Sequence, residues 1–390
     1  MSRLTRPQRA LRALIGVLTV LVVAHLAAGW YYASQIHADA LDASTPWQWE
    51  KNLIVNDAYL KSGDKGSVTL IEDKVVNEEA RTAGTYGLLY DGGFGLLTGK
   101  PKVVDRRITR TFTLVSGKPP QIGQHAAIDF FAFPAEPIAP AKEVTYPGPL
   151  GELSGVLHPG KTGTWMILVH GRGSSPDEMY RQMAVADQLG MPSLSIRYRG
   201  DAGVDQDPSK EHGFGTTEWK DLAAAIDYAH SNGATDIVLS GSSMGGAVVA
   251  AYLREAKQTD DIRAVVLDSP LLSLEQTIDF NGKQMSIAGG LPIPPTVVWL
   301  AKRITSWRYG LDWDAADYLS DTSWLKVPTL IFHGDADTTV PISTSRQLAK
   351  AKSDLVTLEV VPGARHVQSW NADPAAYDET LAGFIAAHTG

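Results

Sequence analysis

Three residues far apart in the chain have the types and settings that activate a hydroxyl for attack on an acyl carbon. Ser243 lies in Gly241-Ser242-Ser243-Met244-Gly245, between the apolar run 237–239 and the small, helix-compatible residues 246–250. In the frame G-x-S-x-G this predicts a strand, a sharp turn and a helix with Ser243 at the apex, and Ser242 falls out of frame. A serine hydroxyl is a poor nucleophile at its own pKa, so it needs a histidine to take its proton and a carboxylate to hold that histidine's tautomer. Asp337 follows the apolar run 330–332 through His333-Gly334-Asp335-Ala336, and His366 follows a run ending at Val361 through Pro362-Gly363-Ala364-Arg365. Each falls on a loop past the end of an expected strand, in an order that such a trio adopts.

Other residues compete for these roles. Asp335 is a rival carboxylate, but spacing from His333-Gly334 favours Asp337 and leaves Asp335 to shape the turn. Asp268, at the end of the run 262–267, is a third candidate whose simpler role is to bond the loop at Ser269-Pro270. His170, His212 and His333 are rivals to His366; His170 and His333 sit in His-Gly turns at strand ends, where an imidazole commonly bonds backbone. The oxyanion formed during acyl transfer needs two backbone N–H donors. Met244, next after the serine, supplies one, and Arg172 in His170-Gly171-Arg172-Gly173, after the run 164–169, is the candidate for the other.

These residues need a scaffold of strands feeding loops. From 141 onward, apolar runs at 164–169, 193–196, 237–239, 262–267, 329–332 and 356–361 alternate with helical periodicity, which predicts a mostly parallel sheet with crossover helices. Ser175-Pro176-Asp177-Glu178 predicts a helix opened by a capping box. A helix is expected over 217–231, another after Pro341, and a last one capped by Asp373-Pro374. Residues 271–326 interrupt the alternation and are expected to form a cap over the site, with the tryptophans at 299, 307, 313 and 324 as its core or as an acyl-binding wall. Trp370 and Asn371 are expected to lock the loop that carries His366.

The first third differs in character. Residues 41–140 hold short strand-like runs at 67–71, 86–90 and 107–115, with turns at 91–93 and 116–120, and predict a small β-rich domain too short for a propeller. The proline-rich stretch 133–140 is expected to be a linker to the catalytic part, 141–390. At the N-terminus, Arg3, Arg6, Arg9 and Arg12 form a basic tail over 1–12, followed by an apolar run over 13–33 that His25 alone interrupts. Roughly 20 apolar residues suffice to cross ~30 Å of hydrocarbon. Trp30-Tyr31-Tyr32 suit an interfacial belt, and the arginines predict a single-pass anchor with the catalytic part outside the cytoplasm. A signal peptide cleaved within 36–40, and hence secretion, is the alternative.

Composition removes other classes. A formal charge of -8 without a basic stripe argues against a nucleic-acid partner. The absence of cysteine excludes disulfides and thiolate nucleophiles. No H-E-x-x-H spacing or phosphate-cradling glycine loop appears, so neither a metal nor a cofactor is expected. A serine at the apex, where aspartate would suit a dehalogenase or epoxide hydrolase, also rules those out.

Residues from about 145 to 390 resemble the α/β-hydrolase superfamily, through HGRGSSPDEMYR, RYRGD, GFGTTEWKDLAAAIDYA, GSSMGGA, HGDADTTVP and ARHVQSWN. More narrowly, they look like membrane-anchored or secreted actinobacterial hydrolases of the esterase and dipeptidyl-peptidase type. The resemblance implies an α/β-hydrolase fold and a serine hydrolase acting on a small-molecule or peptide acyl substrate, with ester cleavage foremost. A prolyl-oligopeptidase-like peptidase, an envelope acyltransferase and an inactive hydrolase fold that binds or anchors a partner remain alternatives. Oligomeric state and the purpose of 41–140 stay open.

Overall fold

The computed structural model describes residues 6–44, 49–61, 64–133, 139–286 and 292–389. Its first element, α1 (Arg6–Ile36), is an unbroken helix of 31 residues, long and apolar enough to cross a membrane by length and composition. The run 13–33 lies within it, whereas Arg3 falls outside the described residues. A single π-type turn, His37–Leu41, carries the helix into the next part of the chain, where Leu41 is already buried in the hydrophobic core of the part that follows residue 140.

Six strands follow as a closed barrel: β1 (Leu53–Leu60), β2 (Lys65–Glu72), β3 (Tyr86–Tyr90), β4 (Gly93–Val104), β5 (Arg107–Gly117) and β6 (His125–Asp129), ordered β1-β2-β5-β4-β3-β6. Alternation sends Val68, Leu70, Ile108 and Phe112 inward, while Thr69 and Thr109 face out and pair through their hydroxyls at 3.0 Å. Sequence pattern recovers β2, β3 and β5 and misses the rest. Gly93, expected in a turn, is instead the first residue of β4, and Gly95 within that strand sits where a Cβ would lie 2.2 Å from the Phe112 ring. Between β2 and β3, the single turn α2 (Glu78–Arg81) lies over one end of the barrel. There the buried guanidinium of Arg110 donates to the carbonyls of Ala80, Thr82, Gly84 and Gly99.

Of the expected linker 133–140, residues 134–138 lie outside the described residues. Beyond it an eight-stranded sheet runs in the order β14-β13-β12-β11-β9-β10-β8-β7, built from β7 (Lys142–Pro147), β8 (Glu152–His158), β9 (Thr164–Val169), β10 (Ser193–Ile196), β11 (Asp236–Ser242), β12 (Ile262–Asp268), β13 (Thr329–Gly334) and β14 (Val356–Val361). Only β8 is antiparallel to its neighbours. Helices α3 (Tyr180–Gln188), α4 (Trp219–Ser231) and α5 (Met244–Glu255) precede the insertion, which holds α6 (Leu274–Gln284) and α7 (Pro295–Tyr309); α8 (Ile342–Ala351), α9 (Ser369–Ala372) and α10 (Pro374–Thr389) complete the fold. Both faces of the central strands are buried, as a parallel sheet between helix layers requires.

The tight seat of Phe112 on Gly95 generates a test. Gly95→Val should lower stability by about 1–3 kcal/mol through overpacking. In thermal unfolding, the double variant Gly95→Val/Phe112→Leu should lose less than the sum of the two single losses.

Candidate functional site

Ser243 occupies the junction of β11 and α5 with φ 50° and ψ -115°, a left-handed backbone region disfavoured for a residue with a side chain. The flanking glycines make this junction possible. A Cβ on Gly241 would lie 2.5 Å from the Gly245 carbonyl, and one on Gly245 would lie 2.1 Å from the carbonyl of Val169 in β9. Two backbone bonds hold the apex, Ser243 N–H to the Asp268 carbonyl and Leu271 N–H to the Ser243 carbonyl, each 2.9 Å.

The structure brings Ser243, His366 and Asp337 together. His366 Nδ1 is 2.8 Å from Asp337 Oδ2, and Nε2 is 2.8 Å from Ser243 Oγ. An ionised carboxylate only accepts, so Nδ1 carries the proton and Nε2 is left to accept from the serine hydroxyl. Burial opposes the charge on Asp337, but hydrogen bonds from His333, His366 and the Val340 N–H hold its carboxyl well below the usual range. The rivals are otherwise engaged. Asp335 accepts from Gly363 N–H at 2.7 Å, and Asp268 accepts from Ser269, Ser369 and Tyr377. His333 bonds Ser345 and the Val340 carbonyl. His212 is buried, and burial together with the nearby Arg172 and His170 charges pushes it down to about 4.

Met244 is the first residue of α5, so its N–H has no intrahelical acceptor. Arg172 lies in the turn after β9 and lines the same cleft. The backbone of that turn reaches the serine, for a Cβ on Gly171 would be 3.3 Å from Ser243 Cβ. What holds the turn escaped sequence reasoning. Ser175 makes no side-chain cap, residues Pro176–Met179 form a 3-10 turn, and Glu178 is diverted from any capping box. Its buried carboxylate accepts from Gly171 N–H at 3.0 Å and from Ser242 Oγ at 2.5 Å. The out-of-frame serine thus anchors the loop opposite.

His170 completes the support. Its Nδ1 faces the Gly171 carbonyl at 2.8 Å and its Nε2 faces Asp201 Oδ2 at 2.9 Å. Both partners are pure acceptors, so both ring nitrogens carry protons. Full burial works against that charge, yet Asp201 overcomes it and raises the imidazole to about 9.

The loop of His366 is pinned from behind by Arg181 of α3, only 2% exposed. Its guanidinium donates to Asn371 Oδ1, to the Phe130 carbonyl and to the Val367 carbonyl. Asn371 in turn donates to the carbonyls of Thr85 and Phe130, and its own carbonyl accepts from Thr85 N–H. These bonds clamp the barrel to the histidine loop.

A cleft of about 330 Å³ opens over Ser243. Besides the His-Gly turn and the Asp337 loop, its walls include Asp39 and Ala40 after α1, Glu79, Phe130 and Phe131 from the barrel side, Leu274 and Ile278 of α6, and Arg365 to Gln368. The insertion does supply a wall, but its tryptophans do not. Trp324 is buried away from the cleft, and Trp299 and Trp307 on α7 are exposed, so neither a cap core nor an acyl-binding wall is built from all of them.

A model of the alpha/beta hydrolase family matches residues 166–380. A Synechocystis protein named "Putative non-heme chloroperoxidase" is 25% identical over 248 residues, which cover 53% of this chain and 86% of that protein. The acylamino-acid-releasing enzyme of Arabidopsis thaliana is 28% identical over 228 residues, 53% of this chain and 28% of that protein's length. An esterase structure from Pyrococcus furiosus shares the fold with a TM-score of 0.52 at 22% identity, covering 64% of this chain and 92% of that one.

The raised His170 predicts a pH signature. Its folded pKa lies above the unfolded value near 6.5, so its contribution is complete below about 6.5 and is lost as pH rises through about 9. Chemical unfolding should show stability falling by roughly 3 kcal/mol across that window. The His170→Gln variant should be less stable at pH 6 and nearly flat between pH 6.5 and 9.

Proposed function

The chain belongs to the alpha/beta hydrolase family, and we propose from that premise that it is a serine hydrolase cleaving a carboxylic ester through an acyl-enzyme. One observation carries the proposal: Ser243 Oγ and Asp337 Oδ2 lie on opposite nitrogens of His366, each at 2.8 Å. In this scheme Ser243 Oγ attacks the acyl carbon while His366 Nε2 takes its proton. The carbonyl oxygen becomes an anion held by the N–H groups of Met244 and Arg172, where one such donor is commonly worth about 3 kcal/mol. His366 returns the proton to the departing alkoxide, leaving the acyl group on Ser243. Water then enters, His366 takes its proton, and a second collapse frees the carboxylic acid and the serine hydroxyl.

We further propose that α1 is a retained single-pass anchor, with the basic residues near its start on the cytoplasmic side and the barrel and hydrolase parts outside. The length and apolar character of α1 support this, as does its uninterrupted passage into the catalytic core at Leu41.

A second scheme, amide or peptide cleavage, draws support from two carboxylates on the cleft, Asp39 and Glu79, which suit a free amino group on the substrate. Glu79 is the more telling, because its Oε1 has only long contacts, to Gln368 Nε2 at 3.4 Å and Arg365 at 3.9 Å, and it retains capacity to accept. Turnover of an aminoacyl amide matching that of its ester, with loss of the amide activity in Glu79→Gln, would select this scheme.

The ester scheme is tested with a fluorophosphonate probe and a p-nitrophenyl ester on the full chain. Wild type should be labelled at Ser243, and Ser243→Ala should lose the label and at least roughly 10³-fold in kcat/KM. Asp337→Asn should lower kcat by a similar factor while the protein stays folded. Glu178→Ala, by freeing the Gly171 turn, should cost about 10–100-fold in kcat with little change in KM. A folded wild type that takes up no label and turns over no ester overturns the assignment.

A further inference from the structure

The insertion helix α7 does not close over the cleft but lies along α1. His25 Nε2 is 2.7 Å from Thr296 Oγ1, a Cβ on Gly29 would lie 2.7 Å from Leu300, and Ala33 is fully buried. Farther along, the rings of Trp30 and Trp307 are 6.3 Å apart, Arg308 stacks over Trp30 at 4.1 Å and bonds Ser34, and Tyr309 stacks on His37. The contacts advance in the same direction on both helices, so the start of α7 sits at the depth of His25, inside the apolar stretch of α1. His25, the polar interruption of that stretch, is thereby given a partner. Two large aromatic side chains of α7 remain uncovered, Trp299 at 57% and Trp307 at 76% exposure, and Arg303 lies over the Trp299 ring at 5.7 Å. Aromatic rings beside basic side chains are the composition of a helix seated at a headgroup boundary.

We propose that α7 is a second membrane element, seated in the leaflet that α1 crosses on the catalytic side, and that the cleft draws an acyl-bearing amphiphile from that leaflet. This rests on the anchor and hydrolase assignments above. The route is short. On its far face α7 holds α6 through Lys302, which pairs with Glu275 and Asp279 at 2.8 Å each, and α6 contributes Leu274 and Ile278 to the cleft. Asp39, another cleft residue, lies about 14 Å beyond Trp30 at about 1.5 Å per helical residue. Apolar walls at Phe130, Phe131, Leu274 and Ile278 suit an acyl chain, and the short distance to the bilayer supplies one.

The chain has no cysteine, so single cysteines report position without background. Full-length protein in bilayers of phosphatidylcholine and phosphatidylglycerol is labelled with a nitrobenzoxadiazole dye at Trp299→Cys, Trp307→Cys, Tyr31→Cys and, on the barrel surface, Ile122→Cys. Spin-labelled lipids should quench the dye at 299 and 307 about as strongly as at 31, and leave 122 unquenched. Quenching at 31 with none at 299 and 307 overturns the seat of α7 alone; none at 31 overturns the anchor and the seat with it. Activity gives the second readout. Trp299→Ser/Trp307→Ser should slow hydrolysis of a long-chain acyl ester dissolved in the bilayer by at least about fivefold and leave p-nitrophenyl butyrate within twofold. Equal effects on both esters overturn delivery from the leaflet, and absence of Ser243-dependent turnover of either overturns the hydrolase assignment instead.

Discussion

The backbone of Ser243 is held in a conformation that costs about 1–3 kcal/mol for a residue with a side chain, and the arrangement around the cleft depends on what keeps it there. The restraint is shared between layers. Gly245 is pressed against the carbonyl of Val169, so α5 can start only where β9 ends. The N–H of Ser243 is fixed to the carbonyl of Asp268 at the end of β12, and the next residue, Ser269, accepts from the N–H of Val367 at 3.1 Å. The serine turn and the histidine loop are therefore referenced to the same strand end. A shift of β12 would move both together, which preserves their 2.8 Å contact. Positioning to a fraction of an ångström is what converts a weak hydroxyl into an attacking group.

Buried charge does the remaining alignment. His170, Asp201 and Glu178 form a continuous network behind the His-Gly turn, and Arg181 fills the space behind the histidine loop. A buried ion is destabilising without partners, so each of these groups is stable only in the geometry that satisfies it. Apolar packing would tolerate small sliding of the two loops. Charge-assisted hydrogen bonds of fixed direction tolerate far less, which suits them to hold the Gly171 backbone against Ser243.

The catalytic candidates were legible in the sequence because they depend on local signals: Ser243 on its glycines, Asp337 and His366 on strands that end just before them. The strands themselves were legible where burial on both faces produced nearly unbroken apolar runs, as in β9, β12 and β13. The supports were not. Glu178 looks like a capping residue because its true partners, Gly171 and Ser242, are set by tertiary folding. Arg181 and Asn371 act across 190 residues of sequence. In the barrel, β4 was hidden by its glycines, of which Gly95 makes room for Phe112, a need that exists only once β5 pairs beside it. The tryptophans of α7 looked like core because an apolar ring carries no mark of whether other parts of the chain cover it, and Trp299 and Trp307 are exposed.

Chemistry and access are divided between different parts of the chain. The residues matched by the family, 166–380, contain Ser243, Asp337 and His366, the three side chains of the proposed acyl transfer. Asp39, Ala40, Glu79, Phe130 and Phe131 all come from outside that span and still reach the cleft. Together with α6 they wall the cleft that opens over Ser243. On the hydrolase reading proposed above, the acyl chain and leaving group of a substrate would be selected by the segment leaving α1, by the barrel and by the insertion. Two hydrolases with the same three catalytic side chains would differ in substrate for this reason alone, since binding energy from remote contacts decides which acyl group is held in line with the nucleophile. The bonds from Asn371 to Thr85 and Phe130 give the barrel a second consequence: a substrate that displaced it would also loosen the loop on which His366 stands. On the proposed mechanism, recognition at the barrel wall and proton transfer at His366 are thus mechanically joined.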